Sequence, residues 1–181
     1  MNYSEMMRAQ EALIFCCEEN AKRAEEEKEK KKGKRLDITI NFDMDGTIAD
    51  LYGVENWLPM LESHIETPYE IAPPLVRLCV LARILNRLQK EGYDLAVLSW
   101  LAKGSNEDYD KRVIKAKKKW LKKHLPSVHW DKINIVAHGT PKEKFCNSSR
   151  DILFDDEEKN RKSWGGIAFD VNDIINELKK L

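Results

Sequence analysis

The chain has 181 residues, with 31 basic and 31 acidic side chains and a mean hydropathy of −0.59. This length fits one domain with a core of its own, and the balanced charge does not point to an anionic polymer or a membrane surface as partner. No stretch is apolar enough for a membrane-spanning helix. The four cysteines form no CxxC pair, so we expect reduced, buried thiols in a cytoplasmic protein.

An amphipathic helix is predicted over residues 4–32, within a separate N-terminal segment of residues 1–35. Its first half carries apolar side chains at three- and four-residue intervals, and residues 25–32 are all charged. Gly33 follows as a natural end to the helix. Two interpretations stay open: the apolar stripe packs on the rest of the chain, or the helix is an arm that forms a homo-oligomer or covers a binding site.

A short run of β-branched and aromatic residues, 38–42, precedes the sequence Asp43-Met44-Asp45-Gly46-Thr47. This pattern predicts a strand followed by a tight turn. Carboxylates that follow a strand lie where open α/β sheets bind ligands. With the i, i+2 spacing, Asp43 can face an electrophile while Asp45 reaches its leaving group. Gly46 allows the sharp turn, and Thr47 offers a hydroxyl and an amide to an anion.

Predicted strands and helices alternate from residue 38 onward. Strands are predicted over residues 38–42, 94–99, 132–137, 152–154 and 167–169. Helices are predicted over residues 54–63, 75–91, 106–125, 157–164 and 173–181, with a short one opening at Thr140-Pro141. Residues 48–53 are predicted to be a loop, and residues 66–74 a linker that contains proline. The alternation predicts an α/β domain over residues 36–181 with a parallel five-stranded sheet.

Two of these helices have predicted core faces. For residues 75–91 the face is Leu75, Leu78, Cys79, Ala82, Leu85 and Leu88; for residues 106–125 it is Val113, Ala116, Trp120 and Leu121. The second helix also carries a basic strip of Lys111, Arg112, Lys115, Lys117, Lys118, Lys119, Lys122 and Lys123. Such a strip can hold nucleic acid, but because the whole chain has no positive excess we favour a solvated face.

Polar residues also end two further strands. Ser99 ends the second strand, and Asp155-Asp156 follow the fourth. Adjacent acids repel each other, so the pair is explained most simply by a divalent cation that neutralises it. A small set of hard oxygen ligands favours Mg²⁺.

Together these motifs resemble those of the haloacid dehalogenase-like (HAD) superfamily. The strand with Asp43-x-Asp45-Gly-Thr resembles motif I, Ser99 motif II, and Asp155-Asp156 motif IV. Lys142 matches the motif III lysine, with Lys144 as the alternate. The resemblance covers residues 38–170 and implies a three-layer, Rossmann-like sheet. Residues 151–164 are also similar to 5′(3′)-deoxyribonucleotidase-like members and their phage and bacterial relatives.

The resemblance implies a Mg²⁺-dependent phosphatase that forms an aspartyl-phosphate. The implied catalytic residues are Asp43 as nucleophile, Asp45 as acid and then base, and Ser99 and Lys142 as stabilisers of charge. The implied metal ligands are Asp43, the backbone carbonyl of Asp45, Asp155 and Asp156, with Asp156 the better candidate for direct coordination. The implied substrate-binding residues are Met44, Gly46 and Thr47 of the loop, while Trp100 is added as a side chain that could stack a base.

The substrate class stays open at this stage. Members of the superfamily usually recognise the leaving group with an inserted cap, and only residues 52–71 remain for one after motif I, so we expect a small or absent cap. Trp57 and Trp100 can stack a base or simply pack. We favour a small phosphorylated substrate such as a nucleotide. A nucleic-acid 3′-phosphate is the alternative, and a non-catalytic interaction module is less favoured.

Overall fold

The computed structural model describes residues 35–181 of the chain. The helix predicted over residues 4–32 lies outside the described residues, as does nearly all of the N-terminal segment 1–35. Among the helices of residues 35–181, none is both long and apolar enough to span a membrane.

Five parallel strands form one sheet in the order β3-β2-β1-β4-β5, so the first strand lies at its centre. The strands are β1 (Thr39–Phe42), β2 (Asp94–Trp100), β3 (Lys132–Val136), β4 (Ile152–Phe154) and β5 (Ile167–Phe169). Phe42 of β1 lies opposite Val97 on one side and Phe154 on the other. The predicted α/β fold is therefore confirmed, and the carboxyl ends of β2, β1 and β4 lie side by side at one edge.

Six α-helices lie within this part of the chain: α1 (Trp57–Glu62), α2 (Thr67–Ile71), α3 (Leu78–Lys90), α4 (Glu107–His124), α5 (Glu158–Ser163) and α6 (Ile174–Lys180). Short 3₁₀ helices form at Lys142–Phe145 and Val171–Asp173. Helix α4 begins after Asn106, whose side chain accepts a hydrogen bond from the Tyr109 amide. Its first turn is acidic and its last turn basic, so both ends suit the helix dipole.

Apolar side chains pack on both faces of the sheet. The main core combines side chains of β1, β2 and β4 with those of α3, α4 and α6, among them Phe42, Val97, Phe154, Leu85, Trp120 and Leu178. A smaller cluster joins Leu98 and Leu153 to Trp164. Asn41 is buried within β1, and its Nδ2 atom donates to the Ile152 carbonyl oxygen at 3.3 Å. That bond satisfies the one polar side chain in the centre of the strand.

The segment between β1 and α3 forms two short helices that pack against α4. Tyr69 of α2 lies in a cluster with Tyr109 and Val113 of α4, and the Tyr109 hydroxyl donates to the Ile65 carbonyl oxygen at 3.2 Å. The linker predicted over residues 66–74 is therefore wrong in part. Helix α2 tolerates Pro68 because the proline lies at the helix start, where a backbone N–H is not needed.

Helix α3 begins later than predicted, and its predicted core face is confirmed only for Leu85 and Leu88. Its buried side chains are Leu81, Ile84, Leu85 and Leu88. The Leu75 amide donates to the Ile48 carbonyl oxygen at 3.0 Å, which holds Leu75 outside the helix. The periodicity therefore has to be counted from Leu78. Leu75 and Cys79 are exposed, so the prediction of buried thiols is wrong for Cys79.

Candidate active site

The acidic side chains after β1 and β4 meet at the carboxyl edge of the sheet. One oxygen atom from each of Asp43, Asp155 and Asp156 lies within 4.8 Å of the other two. This convergence follows from the pairing of β1 with β4, because Asp43 and Asp155 each come directly after a paired strand end. The structure brings the acids together, while the roles assigned to them remain predictions.

Lys142 lies inside this group of acids. Its Nζ atom is 2.6 Å from Asp155 Oδ2 and 3.1 Å from Asp43 Oδ2, and its side chain is fully buried. Burial disfavours the charged form of Lys142 and lowers its pKa. The carboxylates of Asp43 and Asp155 have the larger effect, so the pKa of Lys142 is raised overall. Lys144, by contrast, is exposed. Of the two lysines considered, Lys142 is the one that lies among the carboxylates.

Both carboxyl oxygens of Asp155 are already bonded. Oδ1 accepts from the Glu157 amide at 2.9 Å and from Asn160 Nδ2 at 3.1 Å, while Oδ2 accepts from Lys142. Burial raises the pKa of Asp155. A carboxylate with this many donors is held in one orientation, so Asp155 is a rigid part of the site.

Asp156 is the acid with an unused oxygen. Its Oδ1 atom is buried and has no hydrogen-bond partner within residues 35–181. Burial, and then the negative charges of Asp43 and Asp155, raise the pKa of Asp156 to about 7. A Cβ atom placed on Gly46 would come within 2.5 Å of Asp156 Oδ2, so only glycine lets the turn lie this close. A free carboxylate oxygen beside two other acids suits a cation.

Lys117 is a second buried lysine at this edge, and its assignment to the solvated strip is wrong. Its side chain is 0% exposed. The sequence held a signal for this: Lys117 comes four residues after Val113 and three before Trp120, two side chains of the core face. Positions at these spacings lie on one side of a helix, so Lys117 belonged with the apolar stripe.

The Lys117 ammonium joins the two predicted motifs of β1 and β2. Its Nζ atom donates to Asp45 Oδ2 at 2.5 Å, to Ser99 Oγ at 2.9 Å and to the Trp100 carbonyl oxygen at 2.6 Å. Ser99 is fully buried, and the Asp45 side chain is 16% exposed. Burial raises the pKa of Asp45, although the charge of Lys117 lowers it in part.

Most backbone amides of the loop after β1 donate hydrogen bonds to carbonyl oxygens of the same loop. The Gly46 amide donates to the Ala49 carbonyl oxygen at 2.8 Å, and the Thr47 amide to that of Met44 at 3.3 Å. The Met44 amide donates to Asp43 Oδ1 at 2.7 Å, and the Met44 side chain is buried. Thr47 Oγ1 is buried without a hydrogen-bond partner in the described part of the chain. The Thr47 hydroxyl is therefore the group of this loop that is free to meet an anion.

Trp100 is held by contacts of its own. Its Nε1 atom donates to the Thr140 carbonyl oxygen at 2.8 Å, and its ring centroid lies 4.9 Å from Lys142 Nζ. Its ring also packs at a steep angle against that of His138, with the ring centroids 5.2 Å apart. The ring therefore steadies the buried lysine, which is a packing role that leaves the stacking of a base as a prediction only.

Several basic residues of α4 are paired with acids. Arg112 meets Glu66 at 3.0 Å and Lys119 meets Glu70 at 2.6 Å, so α4 contacts the segment that contains α2 through charge as well as through its apolar face. Lys111 pairs with Glu107 one turn before it. These pairs reduce the positive charge that the strip offers to a polyanion.

Comparisons with known proteins give matches among the solved structures alone. No family model matches the chain, and no curated protein matches it. Its fold is similar to the crystal structure of D,D-heptose 1,7-bisphosphate phosphatase from Burkholderia thailandensis, with a TM-score of 0.45 and 12% sequence identity over 80% of this chain and 99% of that one. At that identity and score we draw no conclusion about function from it. The sheet itself, with acids after β1 and β4, fits the HAD resemblance of the sequence.

Proposed function

We propose that this protein is a Mg²⁺-dependent, HAD-type phosphatase that hydrolyses a small phosphomonoester through an aspartyl-phosphate on Asp43. The observation that carries the proposal is the meeting of Asp43, Asp155 and Asp156 around the buried Lys142 at one edge of the sheet. Three carboxylates and an ammonium in one place are suited to a metal and a phosphoryl group. A non-catalytic module would have no need for this costly cluster of buried charge.

The residues present fit a magnesium ion. Asp156 Oδ1 is buried with no partner within residues 35–181. One carboxylate oxygen from each of Asp43, Asp155 and Asp156 lies within 4.8 Å of the other two. Asp156 and Asp43 are the direct ligands in this proposal, and Asp155 contributes directly or through water. The backbone carbonyl of Asp45 completes the protein's share. Hard carboxylate oxygens are ligands that Mg²⁺ prefers. A bound Mg²⁺ would supply positive charge that stabilises the phosphoryl oxygens.

Asp43 is the proposed nucleophile. Its carboxylate is oriented by the Met44 amide at Oδ1 and by Lys142 near Oδ2, and its side chain keeps 10% of its surface exposed. A carboxylate oxygen attacks phosphorus in line, the bond from phosphorus to the leaving oxygen breaks, and an aspartyl-phosphate forms. Lys142 offsets the negative charge that gathers on the equatorial oxygens.

Asp45 is the proposed acid and base. Burial raises its pKa, which favours the protonated form that gives a proton to the leaving oxygen. The resulting carboxylate then accepts a proton from the water that attacks the aspartyl-phosphate. Cleavage of the bond between phosphorus and Asp43 releases phosphate and restores both aspartates.

The experiment that tests this proposal is a phosphatase screen over nucleotides, sugar phosphates and phospho-oligonucleotides, with Mg²⁺ and with EDTA. We expect turnover of at least one monoester with Mg²⁺ and none with EDTA or with Asp43→Asn. Asp108→Asn changes an exposed aspartate of α4 and is the matched control, expected to match the parent. Turnover by Asp43→Asn at the rate of the parent would contradict the proposal.

A nucleic-acid 3′-phosphate is the second candidate substrate, and the contacts of α4 count against it. Lys117 is buried, and Arg112 and Lys119 are paired with acids. Activity on a phosphorylated oligonucleotide that falls steeply with added salt would favour this candidate over a nucleotide. Activity that is indifferent to salt and to strand length would favour the small substrate.

A further inference from the structure

All three N–H bonds of the Lys117 ammonium are used. The acceptors are Asp45 Oδ2, Ser99 Oγ and the Trp100 carbonyl oxygen, at 2.5 to 2.9 Å. The Tyr69 ring lies against the same ammonium, with its centroid 4.8 Å from Nζ. An ammonium has three donors and no acceptor, so Lys117 has no proton left for a substrate. Its effect on a reaction must pass through the groups that it holds.

The bond from Lys117 fixes what the Ser99 hydroxyl can do. Because an ammonium can only donate, Ser99 Oγ must accept in this pair. The single hydroxyl hydrogen of Ser99 is then free to donate elsewhere, and within residues 35–181 no other hydrogen bond engages this side chain. A Ser99 hydroxyl that accepts from Lys117 can still donate its own hydrogen, and a phosphoryl oxygen needs such a donor.

The same lysine makes the two carboxyl oxygens of Asp45 different. Oδ2 is held by Lys117 at 2.5 Å, while Oδ1 takes part in no hydrogen bond of the described residues. Lys117 therefore occupies Oδ2 and leaves Oδ1 as the oxygen of Asp45 that can exchange a proton with a leaving group or a water molecule.

We propose that Lys117 is a positioning residue of the active site, which holds Asp45 through Oδ2 so that Oδ1 faces the reacting groups, and which sets the Ser99 hydroxyl as a donor to the phosphoryl group. This inference rests on the proposed phosphatase function. A buried ammonium is costly, and an apolar residue would fill the same position of the α4 core face at less cost. The placement of a charge there is explained by the two polar side chains that it orients.

The test compares two substrates with different leaving groups in Lys117→Met. Protonation matters little when p-nitrophenolate leaves and much when an alkoxide leaves, as from glycerol 2-phosphate. The rate compared is kcat/KM, which reports departure of the leaving group and not the later hydrolysis of the aspartyl-phosphate that both substrates share. We expect Lys117→Met to lose roughly 10²–10³-fold in kcat/KM on glycerol 2-phosphate and about tenfold or less on p-nitrophenyl phosphate. The ratio of the two rates within one preparation does not depend on the folded fraction. Lys118→Met, an exposed neighbour on α4, is the matched control and should keep the parent's ratio.

Two further variants separate the roles of the groups that Lys117 holds. Ser99→Ala removes a phosphoryl donor and leaves the lysine, so it should lower both rates by the same factor. Asp45→Asn combined with Lys117→Met should be slower on glycerol 2-phosphate than Asp45→Asn alone only by the smaller factor that Lys117→Met shows on p-nitrophenyl phosphate, because the rest of the effect of the lysine passes through that acid. An equal loss by Lys117→Met on both substrates, or an additive double variant, would overturn the inference.

Lys117→Gln, which keeps an N–H donor, is measured in the same way if the methionine variant does not fold. Failure of both to fold would show that the lysine is structural and would also overturn the inference. Turnover by Asp43→Asn on both substrates tests the proposed phosphatase function independently of Lys117. If that variant retained turnover on both substrates, the phosphatase mechanism would be wrong whatever the ratio for Lys117→Met.

Discussion

Gly46 lies directly against the side chain of Asp156: a Cβ atom on Gly46 would come within 2.5 Å of Asp156 Oδ2 and 2.6 Å of the Tyr52 ring. Gly46 also has a φ of +75°, a conformation that other residues adopt at a cost. The turn after β1 and the acid after β4 are therefore fitted to each other. The first prediction follows from this fit.

Gly46→Ala should weaken the use of Mg²⁺. The new methyl group displaces the Asp156 carboxylate, so we expect the Mg²⁺ concentration for half-maximal activity to rise about 10–100-fold. Gly104→Ala is the matched control, because Gly104 has a φ of +71° and open space where the Cβ would lie. Backbone strain of about 1–2 kcal/mol should lower the stability of both variants. An unchanged Mg²⁺ requirement in Gly46→Ala would show that Asp156 is not a ligand.

Lys142→Met should lose activity, whereas Lys144→Met should keep it. Lys142 Nζ contacts Asp155 and Asp43 from a fully buried position, and Lys144 is exposed two residues away on the same 3₁₀ helix. We expect Lys142→Met to lower kcat about 10²–10³-fold, as loss of a charge-stabilising donor does. The measurement is steady-state turnover of p-nitrophenyl phosphate at saturating Mg²⁺. The assignment of the motif III lysine would be wrong if the two variants exchanged these results.

The metal-free protein should lose stability as the pH rises from 4 to 7. Burial, with the charges of Asp43 and Asp155, raises the pKa of Asp156 to about 7 from its ordinary value of 3.8. The folded state thus binds more protons than the unfolded chain in that window, so the free energy of unfolding falls with pH, by a few kcal/mol in order of magnitude. Burial also raises the pKa of Asp45 and of Asp155, which acts in the same direction.

Thermal denaturation in EDTA and in Mg²⁺, between pH 5 and pH 8, measures this effect. Mg²⁺ should raise the Tm more at pH 8 than at pH 5, because protons compete with the metal for the carboxylates. Asp156→Asn should flatten the pH dependence of the Tm in EDTA and reduce the gain from Mg²⁺. A parent protein whose Tm in EDTA rises steadily from pH 5 to pH 8 would contradict this account.

Asp151→Asn should lower stability and leave chemistry intact. Asp151 is buried before β4, where Oδ1 accepts from the Thr39 amide at 2.9 Å and Oδ2 from the amides of Asn147 and Ser148. An asparagine keeps one acceptor oxygen and leaves amides unpaired, so we expect a loss of about 1–3 kcal/mol. Chemical denaturation measures the loss, and kcat at low temperature should stay within about twofold of the parent. A lowered kcat in fully folded protein would place Asp151 in the site.

Much of the sheet could be predicted because each strand is short, apolar and followed by polar residues. Ile152-Leu153-Phe154 with Asp155 and Asp156 is the clearest case, since burial on both faces leaves no other place for acids than the strand end. The meeting of Asp43 with the acids after β4 also follows from parallel strands that share one edge.

Contacts between distant elements could not be predicted in this way. Lys117 was assigned by its charge, although its spacing placed it on the core face, because sequence alone shows no acceptors for a buried ammonium. The N-terminal boundary of α3 depends on the bond between Leu75 and Ile48, which periodicity does not reveal. The role of Asp151 could not be predicted for the same reason. Its partners are backbone amides, and because nearly every residue has one, the sequence does not show which amides a carboxylate will contact.

The most direct test of the central claim is to look for the phosphoryl group on Asp43. The parent protein is mixed with excess p-nitrophenyl phosphate and Mg²⁺, quenched in acid within one turnover, digested and mapped by mass spectrometry. The account predicts a hydroxylamine-sensitive phosphoryl group on the peptide that carries Asp43, absent in EDTA and in Asp43→Asn. Turnover in the parent with no phosphoryl group on that peptide, or with the group on a histidine or serine, would contradict it.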